Sequence, residues 1–397
     1  MSAKFVIIIP DGAADDPIEE LGGKTAIEAA NIPNIDAIAI EGRQGLCHTV
    51  PDGMAAGSDV AQMCLLGYDP AEYYTGRAPI EAVAMDIDLA PTDWVFRCNL
   101  VTTADGLMID HSAGHISTDE ASKLINELAE TLHMSDSVDF YTGVSYRHLC
   151  VIHNTEFKVT TQPPHDIIGQ KISKNLPKGK NSDMLNDIMA RSEQLFDNHE
   201  INRVRRDLGE NPVSSVWLWG QGKKARLDKF SKKFGLHGAT ITAVDLVRGL
   251  SKLIGFDIIP VEGATGYVNT NYQGKAQAAI DALGKYDIVF VHVEAPDEAG
   301  HAGNALDKKT ALELIDKHIV GPVHQALKQY DQYRILIMPD HPTPVSTQAH
   351  TDDPVPFAMA GTGIKGIHQK PFSEDNAAES GFRIEKGNEM MEYFIKI

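Results

Sequence analysis

Cysteine, basic charge and long apolar runs are what this 397-residue chain has least of. Its four cysteines, Cys47, Cys64, Cys98 and Cys150, stand far apart and form no CxxC pair. That argues against a thiolate metal site or a disulfide framework, and reduced, mostly buried thiols are expected. No stretch reaches the roughly 18 apolar residues that a membrane-spanning helix needs. Lysine and arginine number 36 against 55 aspartates and glutamates, a net charge of −19. The deficit argues against a nucleic-acid surface built on net charge and against anchoring to an anionic membrane. It leaves an anionic substrate open, because a metal ion or a local arginine cluster reverses the sign within one cleft. Internal repeats, low-complexity tracts and a GxxxxGK[ST] phosphate loop are missing too. The segment MSAKFVIIIPDG runs straight into a short apolar strand with no secretory cleavage pattern, so a soluble, cytoplasmic protein is expected.

What is present is globular: 43% apolar and 23% charged residues exclude wholesale disorder, and the length suits two or three domains. Short continuous apolar runs occur at 5–9, 241–244, 288–293 and 335–338. Such runs suit strands buried on both faces. Helical patterns alternate with them, at 32–42, 59–66, 118–132, 272–283 and 308–329. The order predicts an α/β fold, a doubly wound, mainly parallel sheet. From about Ala90 to Ala225 the texture changes to alternating strand-like pieces and lysine- or proline-bearing loops, 163–182 being the strongest loop candidate. A second, smaller α/β domain inserted at 90–225 into a domain of 1–89 and 226–397 explains that order.

Three of the apolar strands end alike, with an acid just beyond: FVIIIP is followed by Asp11, IVFVHVEAP by Asp297 and ILIMP by Asp340. Ligand sites in open parallel sheets lie outside the carboxyl ends of the strands. Three aspartates meeting at one edge repel one another unless a cation sits between them. Histidines accompany them: His301 four residues after Asp297, His341 next to Asp340, and His350 nine further on. Taken singly, a strand-end aspartate is commonly a turn former or helix cap, and a lone histidine a satisfied polar residue. Three strand ends with DxxxH, DH and a trailing histidine point instead to metal. The donor set is too large for one tetrahedral ion, so two ions are expected. Mixed aspartate and histidine donors suit Mn²⁺ or Zn²⁺, and Mg²⁺ where oxygen dominates.

A nucleophile candidate lies in MAAGSDVAQMCLLGYD, where Ser58 sits at the start of a helix behind Gly57. Free backbone N–H groups there favour a phosphate, and a nearby metal favours the alkoxide. A plain N-cap serine is the alternative.

The stretches IIIPDGAADDPIEELGGKTAIEAANIPNID, GSDVAQMCLLGYDPAEYYTGRAPIEA, FRCNLVT, HSAGHIS, GVSYRHL, WLWGQG, GATGYVNTNYQGKA, FVHVEAPDEAGHAG, MPDHPTPV and AHTDDPVPF span nearly the whole chain. In them the sequence resembles the cofactor-independent phosphoglycerate mutases of the archaeal type, within the alkaline phosphatase superfamily. The resemblance implies an alkaline-phosphatase-like core with two divalent ions, Mn²⁺ favoured, a serine nucleophile, Ser58, and a domain inserted after the serine-bearing helix. Carried over residue by residue, it implies one ion on Asp297, His301 and His350, and the other on Asp11, Ser58, Asp340 and His341.

A phosphoglycerate also needs cationic partners for its phosphate and carboxylate, and arginine forks suit both. Arg147 and Arg203 or Arg206 are the candidates from the inserted domain. His115 is the candidate acid/base at the migrating oxygen, and Lys275 neutralises charge near the serine. The expected reaction moves the phosphoryl group of 3-phosphoglycerate to Ser58 and back to the 2-hydroxyl. Water is kept out by closure about crossovers near Ala90 and Ala225. Two other activities fit the same core: a homoserine kinase-like phosphotransfer, proposed for similar bacterial chains, and a metal-dependent phosphatase.

Overall fold

A computed structural model describes residues 3–132 and 137–396. The chain forms two compact units, Met1–Tyr74 with Arg226–Ile397, and Thr75–Ala225.

The first unit is built on an eight-stranded sheet. Its order is Asp257–Ile258, Gly238–Ile241, Ile288–Val293, Lys4–Pro10, Tyr333–Ile337, Val355–Gly361, Arg43–Cys47, Arg383–Ile384. The Lys4–Pro10 strand is buried along its whole length and runs parallel to both neighbours, with Ile8 opposite Val291 on one side and Ile337 on the other. Val6, Ile8, Val289 and Val291 belong to one helix-covered core. On the alternate positions, Phe5 meets Phe394 and Phe290 meets Phe256 in edge and tilted ring contacts. Burial on both faces is why these strands read as unbroken apolar runs.

Two sequence expectations about this unit need revision. The strand expected at 241–244 is Gly238–Ile241, because Gly238 lets the Phe256 ring lie where a Cβ would stand, 2.3 Å away, and Asp245 already opens a helix. The helix expected over 308–329 is Ala305–Ile315, a π-turn over Asp316–Val320, then Gly321–Leu327. Pro322 cannot donate to the ladder and its ring crowds the preceding turn, which widens there. The sheet is mainly parallel, as expected, with one antiparallel strand, since Val355–Gly361 runs against both Tyr333–Ile337 and Arg43–Cys47.

The inserted unit has an antiparallel sheet. Its long central strand, Trp94–Ala104, pairs with Arg147–Ile152, Ser215–Gly222 and Leu107–Asp110. One face packs Phe96, Cys98 and Leu100 under helices Thr118–Thr131 and Ser182–Phe196. The other face carries Val95 and Leu149 under Ala78 and Ala82 of helix Arg77–Ala84. That helix therefore belongs to the inserted unit, and the first crossover falls at Tyr74–Thr75 where the texture of the sequence suggested 89–90. The stretch 163–182, expected as a loop, contains a helical turn, Ile172–Asn175, and a strand, Lys178–Lys180, that pairs with Lys158–Thr160. All four cysteines are buried and unpaired. No helix among the described residues is long and apolar enough to cross a membrane.

Candidate active site

Three neighbouring parallel strands of the first unit, Lys4–Pro10, Ile288–Val293 and Tyr333–Ile337, deliver their carboxyl ends to one edge. Asp11 follows the first of them, Asp297 the second, and Asp340 with His341 the third. Gly12, with φ +62°, makes the turn after Asp11; a Cβ there would stand 2.5 Å from Asp297 Oδ1. Pro296 starts helix Ala295–His301, and the four-residue spacing puts Asp297 and His301 on one face of it.

Three groups of ligand-type atoms result among the described residues, Asp297/His301/His350, Asp11/Asp340/His341 and, sharing Asp11 with the second, Asp11/His292/Glu294, each with its atoms within 4.8 Å of one another. In the first, Asp297 lies 3.3 Å from His301 Nε2 and 3.4 Å from His350 Nε2. In the second, His341 Nε2 stands 3.5 Å from Asp11 Oδ1 and 3.3 Å from Asp340 Oδ2. These two groups adjoin, since the His341 and His350 rings are 4.1 Å apart. Ring orientation is fixed from behind. His301 Nδ1 lies 2.9 Å from the Gln348 carbonyl and His341 Nδ1 3.3 Å from that of Pro342, which leaves each Nε2 as the donor atom for a cation. The carboxylates are also held: Gly12 N, His341 N and Gln62 Nε2 donate to Asp340, and Thr343 Oγ1 donates to Asp297 Oδ1 at 2.5 Å.

The electrostatics fit a cation. Burial, with Asp340, Glu294 and Asp297 close by, holds Asp11 well above the usual carboxylate range. Burial and Asp297 push Glu294 up to about 8. Asp11 Oδ1 is buried and has no hydrogen-bond partner among the described residues. Around Asp297, burial works upward, but hydrogen bonds with His301 and His350 outweigh it and hold the carboxyl well below its ordinary range. The hydrogen bond to Asp297 raises His301 to about 9. Such a set is short of positive charge, and a divalent ion supplies it. A buried ion pair braces the loops behind it: Lys308 Nζ donates to Asp15 Oδ2 at 2.6 Å, Thr343 O at 2.8 Å and Ala14 O at 3.2 Å.

Ser58 is the first residue of helix Ser58–Leu65, and Gly57 is its N-cap. Its hydroxyl is therefore not used in capping, and Oγ lies 3.0 Å from His341 Nε2, beside the second group. The sequence had left N-capping open as the alternative role.

The candidate substrate residues divide. Lys275 is fully buried in the first unit, and its ammonium donates to His292 O at 2.8 Å. Burial pulls Lys275 down to about 8. In the inserted unit, His115 ends a run of three left-handed residues, Ala113, Gly114 and His115, with φ of 48°, 66° and 51°. Asp110 supports that turn by accepting from Ser112 N and Gly114 N. Tyr146 packs against His115, His111 and the Arg147 guanidinium. Two groups that sequence reasoning missed extend the strip: Trp219, in ring contact with His165, and Arg97, stacked over Trp219 at 4.4 Å. Glu81 holds Arg97 Nε at 3.1 Å and Arg77 Nε at 3.0 Å. Burial brings Arg97 down to about 10, so it stays charged at neutral pH. The motifs FRCNLVT and WLWGQG contain Arg97 and Trp219, but only strand pairing shows that they meet. Arg203 and Arg206 lie exposed on helix Glu200–Asp207, and Arg206 folds back to donate to Asp197 O at 2.9 Å. Between them Arg205 is buried and donates to Ala113 O and Asn211 O.

A serine at a helix start, beside two adjoining aspartate–histidine groups on the carboxyl edge of an α/β sheet, is an arrangement suited to divalent-metal phosphotransfer. The profile of 2,3-bisphosphoglycerate-independent phosphoglycerate mutase matches residues 39–202. The chain is 46% identical over 393 residues to the 2,3-bisphosphoglycerate-independent phosphoglycerate mutase of Methanothrix thermoacetophila, covering 99% of each. A solved structure of a protein from Pyrococcus horikoshii superposes with a TM-score of 0.83 at 30% identity, covering 100% of this chain and 97% of that one. The cofactor-independent phosphoglycerate mutase of Thermoplasma acidophilum superposes with a TM-score of 0.68 at 25% identity, covering 100% and 99%. The chain belongs to the 2,3-bisphosphoglycerate-independent phosphoglycerate mutase family.

Proposed function

We propose that this chain interconverts 3-phosphoglycerate and 2-phosphoglycerate in the cytoplasm, with Ser58 accepting the phosphoryl group and returning it to the neighbouring hydroxyl. The observation that carries this reading is Ser58 Oγ, free of any capping role and 3.0 Å from His341 Nε2 where the two groups adjoin. Full-length similarity to proteins named as mutases favours it over homoserine phosphorylation or plain phosphatase action.

Asp297, His301 and His350 are assigned to one divalent ion, and Asp11, Asp340, His341 and Ser58 to the other, with Mn²⁺ the ion that suits this mixed oxygen and nitrogen set. Bound, the ions supply neutralising charge for the phosphoryl group and favour the serine alkoxide. The protein supplies the rest. Thr343, Gln62 and the Gly12 turn keep the carboxylates aimed, so little reorganisation is needed during transfer. Lys275, buried and beside Glu294, acts in the charge balance of the carboxylates and not as a substrate contact.

For the substrate's carboxylate we assign Arg97 and Arg147, in preference to Arg203 and Arg206. Arg97 is pre-set by Glu81 and Trp219, which lowers the entropic cost of forming a bidentate pair. His115 is assigned as the acid/base at the migrating oxygen. Left-handed backbone at non-glycine residues costs on the order of 1–3 kcal/mol each and persists at functional turns, which supports a role for the strained Ala113–His115 turn. The test is an enolase-coupled assay with Mn²⁺. Wild type forms 2-phosphoglycerate, and Ser58→Ala loses at least about 10³-fold in kcat. Phosphohomoserine from homoserine and ATP, without 2-phosphoglycerate from 3-phosphoglycerate, would overturn the proposal.

A further inference from the structure

His292 lies inside the Ile288–Val293 strand, opposite Ile9, in a stretch that otherwise reads as core. It is fully buried, yet both ring nitrogens are engaged. Nε2 stands 2.7 Å from Asp11 Oδ2, and Nδ1 stands 3.1 Å from Thr242 Oγ1. The Thr242 hydroxyl accepts from Val244 N at 3.0 Å and has its own proton to donate to His292 Nδ1. Asp11, ionised as a cation ligand, can only accept, so the ring proton sits on Nε2, where it donates to Asp11 Oδ2, and Nδ1 accepts from Thr242. The other Asp11 oxygen, Oδ1, is buried without a hydrogen-bond partner among the described residues, and it faces His341 Nε2 at 3.5 Å.

We propose that His292 is a positioning residue for Asp11, its tautomer set by Thr242, which occupies Oδ2 and leaves Oδ1 to the cation. This rests on the reading of Asp11 as a metal ligand. A different use of the same atoms is a third cation on Asp11, His292 and Glu294, whose ligand atoms also lie within 4.8 Å of one another. The 2.7 Å His292–Asp11 hydrogen bond favours the positioning role. So does Lys275, whose ammonium at His292 O already places a positive charge near Glu294.

The test measures Mn²⁺ affinity and stoichiometry by calorimetry and equilibrium dialysis. The set is wild type, His292→Leu, His292→Gln, Thr242→Val and Asp11→Asn, with the fold of each checked by thermal unfolding without metal. Removing an outer-shell partner of a ligand typically costs 10–100-fold in metal affinity. His292→Leu is expected to weaken one of two ions by about that factor, with kcat recovering at saturating Mn²⁺. His292→Gln, whose amide can still donate to Oδ2, should bind within a few-fold of wild type, and Thr242→Val should fall between them. Unchanged affinity in His292→Leu, when Asp11→Asn loses an ion, overturns the positioning role alone. Three ions in wild type, one of them lost equally in His292→Leu and His292→Gln, overturns it in favour of a ligand role. Full Mn²⁺ binding by Asp11→Asn overturns the assignment of Asp11 itself.

Discussion

The two units of this chain brace their charged groups in different ways. In the first, the carboxylates and His341 are almost wholly out of water and tied to several backbone and side-chain donors. In the inserted unit the cations are braced on aromatic rings and one carboxylate: Arg97, buried, on Trp219 and Glu81, and Arg147, exposed, on Tyr146. A metal ligand set needs fixed atoms at short distances, which burial and hydrogen bonding impose. A guanidinium proposed to pair with an anion needs its plane held in one orientation, which stacking on an aromatic ring and one carboxylate partner provide.

Breaking the bracing of the buried half should cost most. Lys308→Met leaves the Asp15 carboxylate buried without its cation, and loss of one partner of a buried pair costs about 3–5 kcal/mol. Denaturant unfolding of the metal-free protein measures it, and a cost below about 1 kcal/mol would show that the pair does not brace these loops. In the inserted unit the effect belongs in binding. Arg97→Met should lower kcat/KM by about 10–100-fold, the worth of a charged hydrogen bond or two, mainly through KM. Arg206→Met, at a surface pair, should change it by less than about twofold. Equal losses in the two variants would erase the distinction between them.

The buried half should also show a pH dependence. Without metal, His301 is raised from its ordinary 6.5 to about 9 by its hydrogen bond to Asp297. A raised histidine stabilises the fold fully below its unfolded value, and that contribution fades as pH climbs through about 9. A cation needs the unprotonated ring. Affinity at this group should therefore rise by up to about tenfold per pH unit between 6.5 and 9 and then level off, with a proton released per ion. Calorimetry in buffers of different ionisation enthalpy detects the proton, and a flat profile would place His301 outside the ligand set.

How much of this was legible in the sequence follows the same division. Asp11, Asp297, His301, Asp340 and His341 sit at or just past the ends of strands that read as apolar runs, so local pattern alone aimed them at one edge. His292 escaped notice because a histidine within such a run looks like core, and only its parallel neighbour brings Asp11 to it. The Arg97–Trp219–Glu81 group depends on antiparallel pairing of segments more than 100 residues apart and on a helix, Arg77–Ala84, that composition alone assigned to the other unit. The cluster at Arg203–Arg206 drew attention by charge density, yet its one buried member, Arg205, holds loops together through backbone carbonyls. The π-turn before Pro322 was hidden because the apolar period continues across it.

The most direct measurement follows the phosphoryl group itself. Protein loaded with Mn²⁺ is mixed with 3-phosphoglycerate carrying labelled phosphate, quenched within a turnover and digested. The account predicts the label on the peptide containing Ser58 and 2-phosphoglycerate as product. Product formed while Ser58 stays unlabelled, or by Ser58→Ala at the wild-type rate, would contradict it.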